Sequence, residues 1–128
     1  MEEKGLIICD SDVIIEFFDR ANKSIENRLV EMGRENLCIS SVTYSEIIFG
    51  STDKDHLTTL SKGLEKFIVV DIDQRIDTIH QELVKKYSLS HKLGIQDALI
   101  AATALNYEIK LFTLNTKDFK FIEGLELL

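Results

Sequence analysis

Short apolar runs alternate with amphipathic segments along the whole chain. Runs of this length, bounded by polar residues, are typical of strands that are buried on both faces. They predict strands at residues 5–9, 36–40, 67–72 and 110–114, and the terminal LELL predicts a short fifth strand. The sheet is therefore expected to be buried between two layers of helix.

The segments between the apolar runs repeat their apolar residues at helical spacing. Val13, Ile14, Phe17 and Phe18 share one face of a first helix, for which Ser11 or Asp12 is the expected cap. Further helices are predicted at about 23–34, from Ser40 or Ser41 through Phe49, at about 53–65, from Asp73 to about Tyr87, and at about 96–107. The stretch SLSHKLG before the last helix predicts a loop.

This alternation predicts an α/β fold, specifically a three-layer α/β/α sandwich around a parallel sheet of about four to five strands. The 128 residues contain no proline, repeat or linker-like tract. We therefore expect one domain over residues 1–128.

Acidic side chains follow the predicted strands. Asp10 comes directly after the first strand, and Asn115 and Asp118 follow the fourth. Glu46 lies in the helix after the second strand, and Asp97 lies in the first turn of the alanine-rich helix. Because the carboxyl ends of parallel strands meet at one edge, these side chains are expected to converge there.

The helical phase of two of these acids strengthens the expectation. Glu46 shares a face with Val42 and Phe49, and Asp97 shares a face with Ile100, so both faces are expected to be buried. A buried carboxylate is costly unless it is paired or bound to metal, and no lysine or arginine shares either face. A cluster of oxygen ligands favours Mg²⁺ or Mn²⁺.

Each acid also has a simpler structural explanation. Asp10 or Asp12 could cap a helix, and Asp97 could interact with the dipole of its own helix. Glu46 could form a capping box with Ser41 or Thr43, and Asp118 could cap a short turn.

Composition narrows the function classes. The net charge of -7 argues against a protein that coats nucleic acid by charge alone, although it does not exclude a nuclease.

Cys9 and Cys38 lack metal-ligand spacing and are expected to be buried free thiols in a reducing compartment. The first residues lack the pattern of a signal peptide, and no apolar run would span a membrane, so we expect a cytoplasmic protein. Lysines near 85–92 and 117–120 are expected on a solvated surface.

Four motifs together carry a family resemblance. DSDVII, ISSVTYSEIIFG, DALIAATAL and FTLNTKDF occur in this order and cover almost the whole chain. Their combination resembles the PIN domain, most closely the VapC-like ribonuclease toxins of toxin–antitoxin pairs. The resemblance implies a Mg²⁺- or Mn²⁺-binding catalytic set of Asp10, Glu46, Asp97 and Asp118, with Thr113 and Asn115 as polar partners.

Two positions depart from the family pattern. The family commonly has Asn or Ser at the position of Asp12, and SLSHKLG lacks the proline often found before the third aspartate. With these departures, the resemblance still implies a metal-dependent endoribonuclease that hydrolyses RNA phosphodiester bonds. It also implies homodimerisation and an antitoxin protein whose basic residue blocks the acidic pocket.

Two other function classes remain as alternatives. LIICDSDV matches the first motif of haloacid-dehalogenase-like phosphohydrolases, in which Asp10 would be the nucleophile and Asp12 the general acid. The acids could also be structural residues of a non-enzymatic interaction module.

Overall fold

A four-stranded parallel sheet lies at the centre of the computed structural model, which describes residues 5–128. Its strands are β1 (Ile7–Cys9), β2 (Leu37–Ser40), β3 (Ile68–Val70) and β4 (Lys110–Phe112), in the spatial order β3-β2-β1-β4. Every neighbouring pair is parallel, so the carboxyl ends of all four strands lie at one edge.

Six helices connect and flank the strands within the described residues. They are α1 (Ser11–Phe18), α2 (Lys23–Met32), α3 (Ser41–Phe49), α4 (Lys54–Leu64), α5 (Gln74–His91) and α6 (Ile95–Tyr107), with single 3₁₀ turns at Arg34–Asn36 and Thr116–Asp118. Side chains of Asn22, Ser40, Asp53 and Asp73 cap α2, α3, α4 and α5 by accepting backbone N–H bonds. None of the helices in residues 5–128 combines the length and apolarity needed to cross a membrane.

Alternate strand residues enter two separate hydrophobic cores. Ile8, Cys38 and Leu111 pack on the side that also buries residues of α5 and α6. The neighbouring residues Cys9, Ile39 and Phe112 pack on the opposite side, which buries residues of α1, α2, α3 and α4. The predicted three-layer α/β/α sandwich is thus confirmed, with helices on both faces of the sheet.

The predicted loop after α5 was wrong for residues 88–91, because α5 continues to His91. The last turn is held by packing, since the His91 ring stacks on Phe121 with ring centroids 4.1 Å apart. Lys92 then ends the helix in a left-handed conformation, with φ of 54°. Neither glycine nor proline interrupts SLSH, so nothing in this segment stops the helix earlier.

The predicted fifth strand is limited to a single parallel bridge between Leu111 and Leu127. The backbone N–H of Leu111 donates to Glu126, and that of Leu128 donates to Leu111, each at 2.9 Å. The C-terminal segment therefore extends the β4 edge of the sheet at one position only.

Candidate active site

Asp10 lies at the carboxyl end of β1 and is 6% exposed. Its carboxylate accepts a hydrogen bond from the Ser11 N–H at 2.8 Å, which makes Asp10 the cap of α1. The expectation that Ser11 or Asp12 caps the helix was therefore wrong, whereas the alternative that Asp10 caps it is confirmed. The second Asp10 oxygen accepts from the Thr113 hydroxyl, also at 2.8 Å, so its orientation is set by the start of α1 and by the residue after β4.

Thr113 connects Asp10 to the segment that follows β4. This side chain is buried, and its hydroxyl also accepts a hydrogen bond from the Asn115 N–H at 3.1 Å. Since a hydroxyl carries a single proton, its short bond to Asp10 defines where that proton points. Thr113 thus orients Asp10 and shapes the turn that leads to Asp118.

Asp12 ties the first turn of α1 to the same segment. Its carboxylate accepts from the backbone N–H of Leu114 at 3.2 Å, and Thr113 Oγ1 lies 3.4 Å away. Burial, followed by the charge of Asp10, raises the pKa of Asp12. Because the backbone of Leu114 holds this side chain, Asp12 is placed as a structural tether. This position does not favour the phosphohydrolase interpretation, in which Asp12 would transfer a proton to a leaving group.

Glu46 is half-buried in the second turn of α3. The helix is capped by Ser40, whose hydroxyl accepts from the Val42 N–H at 3.2 Å, so Glu46 lies too far along to form a capping box. Burial and the charge of Asp10 raise the pKa of Glu46. The Glu46 carboxyl group therefore lies close enough to Asp10 for the two charges to interact.

The expected shared burial of Glu46 and Phe49 was wrong. Phe49 is 92% exposed, while Thr43 and Ile47 form the buried side of α3. The two pairs of residues point in different directions around the axis of α3, and packing of α3 against its neighbours buries the side of Thr43 and Ile47.

Asp97 is half-buried in the first turn of α6. Buried alanines on this helix, Ala98, Ala101, Ala102 and Ala104, allow it to pack closely against its neighbours. Burial raises the pKa of Asp97 to about 6, and the charges of Asp10, Asp118, Glu46 and Asp12 each add to the effect. The pKa of Asp97 is therefore raised by the charge of each of the other four acids.

Asp118 is half-buried at the end of the Thr116–Asp118 turn, and it accepts a hydrogen bond from the side-chain amide of Asn115. Its charge contributes to the raised pKa of Asp10, although burial is the larger cause. The structure thus brings together the four predicted catalytic acids and Asp12, with Thr113 and Asn115 as their hydrogen-bond donors.

No basic side chain within residues 5–128 forms an ion pair with these five acids. Over the same residues, no group of three or more Asp, Glu, His or Cys side chains is already arranged to hold a metal ion. The donors are carboxylate oxygens, which suit hard divalent cations. The five carboxylates therefore form a negatively charged pocket in which like charges repel one another.

A histidine beside this pocket was missed by sequence reasoning. His56 and Asp19 line a cavity of about 60 Å³ together with Glu46. The Thr52 N–H donates to His56 Nδ1 at 3.0 Å, so the other ring nitrogen carries the proton and donates to Asp19 at 2.9 Å. Asp19 and His56 are 37 positions apart, so the sequence gives no local signal for this pair.

Comparison with known proteins identifies related chains. Residues 7–124 match the family model of the PIN domain. A ribonuclease VapC of Rickettsia bellii is 32% identical over 102 residues, which cover 80% of this chain and 63% of the relative. Ribonuclease VapC10 of Mycobacterium tuberculosis is 31% identical over 123 residues, covering 94% and 91% of the two chains. The chain therefore spans just under two thirds of the Rickettsia relative.

Solved structures share the fold. A toxin–antitoxin complex from Klebsiella pneumoniae contains a chain that is 28% identical, with a TM-score of 0.79 over 93% of this chain and 94% of that one. VapBC2 from Rickettsia felis, bound to a promoter DNA fragment, gives a TM-score of 0.85 at 24% identity, covering 96% and 97%. The second similarity concerns the fold alone.

Replacement of Asp97 tests the cost of ionising its carboxyl, which arises first from burial and then from the charges of the other acids. Its pKa rises from 3.8 to about 6 on folding, so the folded protein binds more protons and loses stability as pH rises through this range. We expect Asp97→Asn to stabilise the protein in EDTA at neutral pH by about 1 kcal/mol, after allowance for solvent screening of a half-buried group. The gain should vanish below about pH 4, where the unfolded carboxyl is also protonated.

Urea unfolding at several pH values measures this difference. Glu31→Gln, at an exposed position on α2, is the matched control and should show no comparable gain. If Asp97→Asn were less stable than the wild type at neutral pH, the carboxyl would be making favourable contacts and the repulsion would be refuted.

Proposed function

Because this chain belongs to the PIN domain family, we propose that it is a divalent-metal-dependent endoribonuclease that hydrolyses RNA phosphodiester bonds. The observation that carries the proposal is the placement of Asp10, Glu46, Asp97 and Asp118 at the carboxyl edge of the sheet, where burial and then the charges of the other acids raise the pKa of Asp97. The ribonuclease names of the relatives support the reaction class. We propose that residues 1–128 form a single nuclease domain.

Asp10, Asp97, Asp118 and Glu46 are the proposed ligands, directly or through water. Since all of their donor atoms are carboxylate oxygens, Mg²⁺ or Mn²⁺ fits them better than the softer metals that select cysteine or histidine. When bound, such an ion supplies charge neutralisation, an activated water and stabilisation of the leaving oxygen.

The surrounding residues position these ligands. The Thr113 hydroxyl and the Ser11 N–H each occupy one Asp10 oxygen and so fix the plane of that carboxylate. The Asn115 amide binds one oxygen of Asp118 and leaves the other available. Glu46 takes no part in these hydrogen bonds, and we assign it either a ligand role or the orientation of the attacking water.

The interaction-module alternative is less favourable. Asp12 is held by the Leu114 N–H, as a structural acid would be, whereas no basic side chain in the described part of the chain pairs with the proposed ligands Asp10, Glu46, Asp97 and Asp118. Burying several unpaired acids costs stability, and a function that uses them accounts for that cost.

RNA cleavage tests the proposal. Total bacterial RNA incubated with the protein and Mg²⁺ or Mn²⁺ should give discrete fragments on a denaturing gel, and EDTA should abolish them. Asp10→Asn and Asp97→Asn should each reduce the rate at least about 100-fold, because a ligand is removed from the pocket.

Thermal unfolding separates loss of chemistry from loss of fold. Mn²⁺ should raise the melting temperature of the wild type and of the Glu31→Gln control, and should have a smaller effect on Asp97→Asn. Intact RNA after incubation of a well-folded wild type with either metal would refute the nuclease assignment.

We further propose that the protein is the toxin of a toxin–antitoxin pair and forms a homodimer. A basic residue of the antitoxin suits the acidic pocket, because an arginine can bridge several carboxylate oxygens. The exposed Phe49 at the end of α3 is a large apolar group suited to a contact between copies. The free buried thiols of Cys9 and Cys38 agree with action in a reducing cytoplasm.

Light scattering coupled to size exclusion tests both partners. The chain alone should have the mass of a dimer, and Phe49→Ser should shift it toward the monomer. Co-expression with the product of the adjacent gene should increase the mass and abolish RNA cleavage. A monomeric wild type would contradict the dimer, and an unchanged mass would contradict the antitoxin.

A further inference from the structure

Three aromatic rings meet where α5 ends. The His91 and Phe121 rings are stacked, with centroids 4.1 Å apart and planes inclined by only 8°. Tyr87 approaches both rings by its edge, at 5.7 Å from His91 and 5.2 Å from Phe121. Tyr87 is itself fixed, because its hydroxyl accepts from the Glu123 N–H at 3.1 Å. We call these residues the His91 platform.

The platform has a buried side and an exposed side. Tyr87 is buried and Phe121 is half-buried, whereas His91 is exposed. Phe121 covers one face of the imidazole, and no other ring in residues 5–128 stacks on its second face. The outermost layer is thus a flat ring that is held in place and faces solvent.

The platform joins the two chain segments that carry proposed ligands. His91 precedes Asp97 by six positions, across the short connection between α5 and α6. Phe121 follows Asp118 by three positions, just after the 3₁₀ turn. Each ring of the stack is thus within six positions along the chain of a proposed ligand.

Lysines are grouped in the same two segments. Lys92, Lys117 and Lys120 are all exposed, and none forms an ion pair with an acid in the described part of the chain. In a protein with a net charge of -7, these are exposed cations within six positions along the chain of Asp97 or Asp118. Such cations attract phosphates that the pocket itself would repel.

We propose that the exposed face of His91 stacks an unpaired nucleobase of the RNA substrate, while Lys92 and Lys120 hold the adjacent backbone phosphates. Aromatic stacking combined with cationic side chains is the way proteins bind single-stranded nucleic acid, and base pairing would keep the base out of reach. The inference rests on the proposed ribonuclease function and specifies single-stranded RNA next to the cleaved bond.

Binding measurements in an Asp97→Asn background, which does not cleave, test the platform. The probe is a short fluorescein-labelled single-stranded RNA without secondary structure, compared with the same RNA in a duplex. His91→Ala and His91→Leu should weaken binding of the single strand about fivefold or more, because stacking on a planar ring is lost. His91→Phe keeps a planar ring and should bind within about twofold of the parent.

The phosphate contacts of the lysines are tested separately, by the salt dependence of RNA binding. Lys120→Ala should reduce the slope of log Kd against log salt by about 0.7, the contribution of one phosphate contact to a single strand. Lys62→Ala, in the last turn of α4, is the matched control and should leave the slope unchanged.

Two outcomes would overturn the platform while leaving the nuclease intact. These are equal binding by His91→Ala and its parent, or equal weakening by Leu and Phe at this position, because base stacking requires a planar ring, which Phe keeps and Leu lacks. Thermal unfolding of each variant shows whether the fold persists, and the Mn²⁺ response of each His91 substitution made with Asp97 intact shows whether the metal site persists. Failure of the wild type to cleave RNA would instead refute the proposed function.

Discussion

Repulsion among carboxylates at the carboxyl edge of the sheet is the constraint on which the site depends. Parallel strands bring Asp10 and the segment carrying Asp118 to the same edge, and Glu46 in the second turn of α3 and Asp97 in the first turn of α6 join them. The raised pKa of Asp97, about 6, records both the burial of that carboxyl and its proximity to the other acids. A fold that gathers these groups gives up stability at neutral pH in exchange for a pocket that attracts cations.

Hydrogen bonds from the surrounding chain make this arrangement tolerable. Asp10 receives the Ser11 N–H and the Thr113 hydroxyl, and Asp12 receives the Leu114 N–H. A hydrogen bond to a charged group contributes roughly 1.5–3 kcal/mol, enough to offset part of the repulsion. The same bonds connect the start of α1 to the end of β4, so the parts that bind the acids also hold the site together.

Elements with a strong local pattern could be predicted from the sequence. The strands, the six helices, their parallel arrangement and the sandwich follow from short apolar runs and helical spacing. The convergence of the acids also follows, because it needs only strand direction. The resemblance to the PIN domain gave the same residues, and the match over residues 7–124 supports the family.

What escaped prediction depends on contacts between distant residues. Asp12 and Leu114 are 102 positions apart, and the role of Asp12 becomes visible only when they meet. The extension of α5 to His91 depends on stacking with Phe121, and the exposure of Phe49 depends on which side of α3 packs inward. Such choices are made by tertiary packing, which local propensity does not determine.

The most direct test of the account is the titration of the Asp97 carboxyl carbon by NMR, with and without Mg²⁺. Without metal, the account predicts a midpoint near 6, well above the ordinary 3.8. Saturating Mg²⁺ should lower the midpoint, because a cation among the acids favours their ionised forms. A midpoint near 3.8 in EDTA, or one that Mg²⁺ leaves unchanged, would contradict the central claim that these carboxylates share one cation-binding pocket.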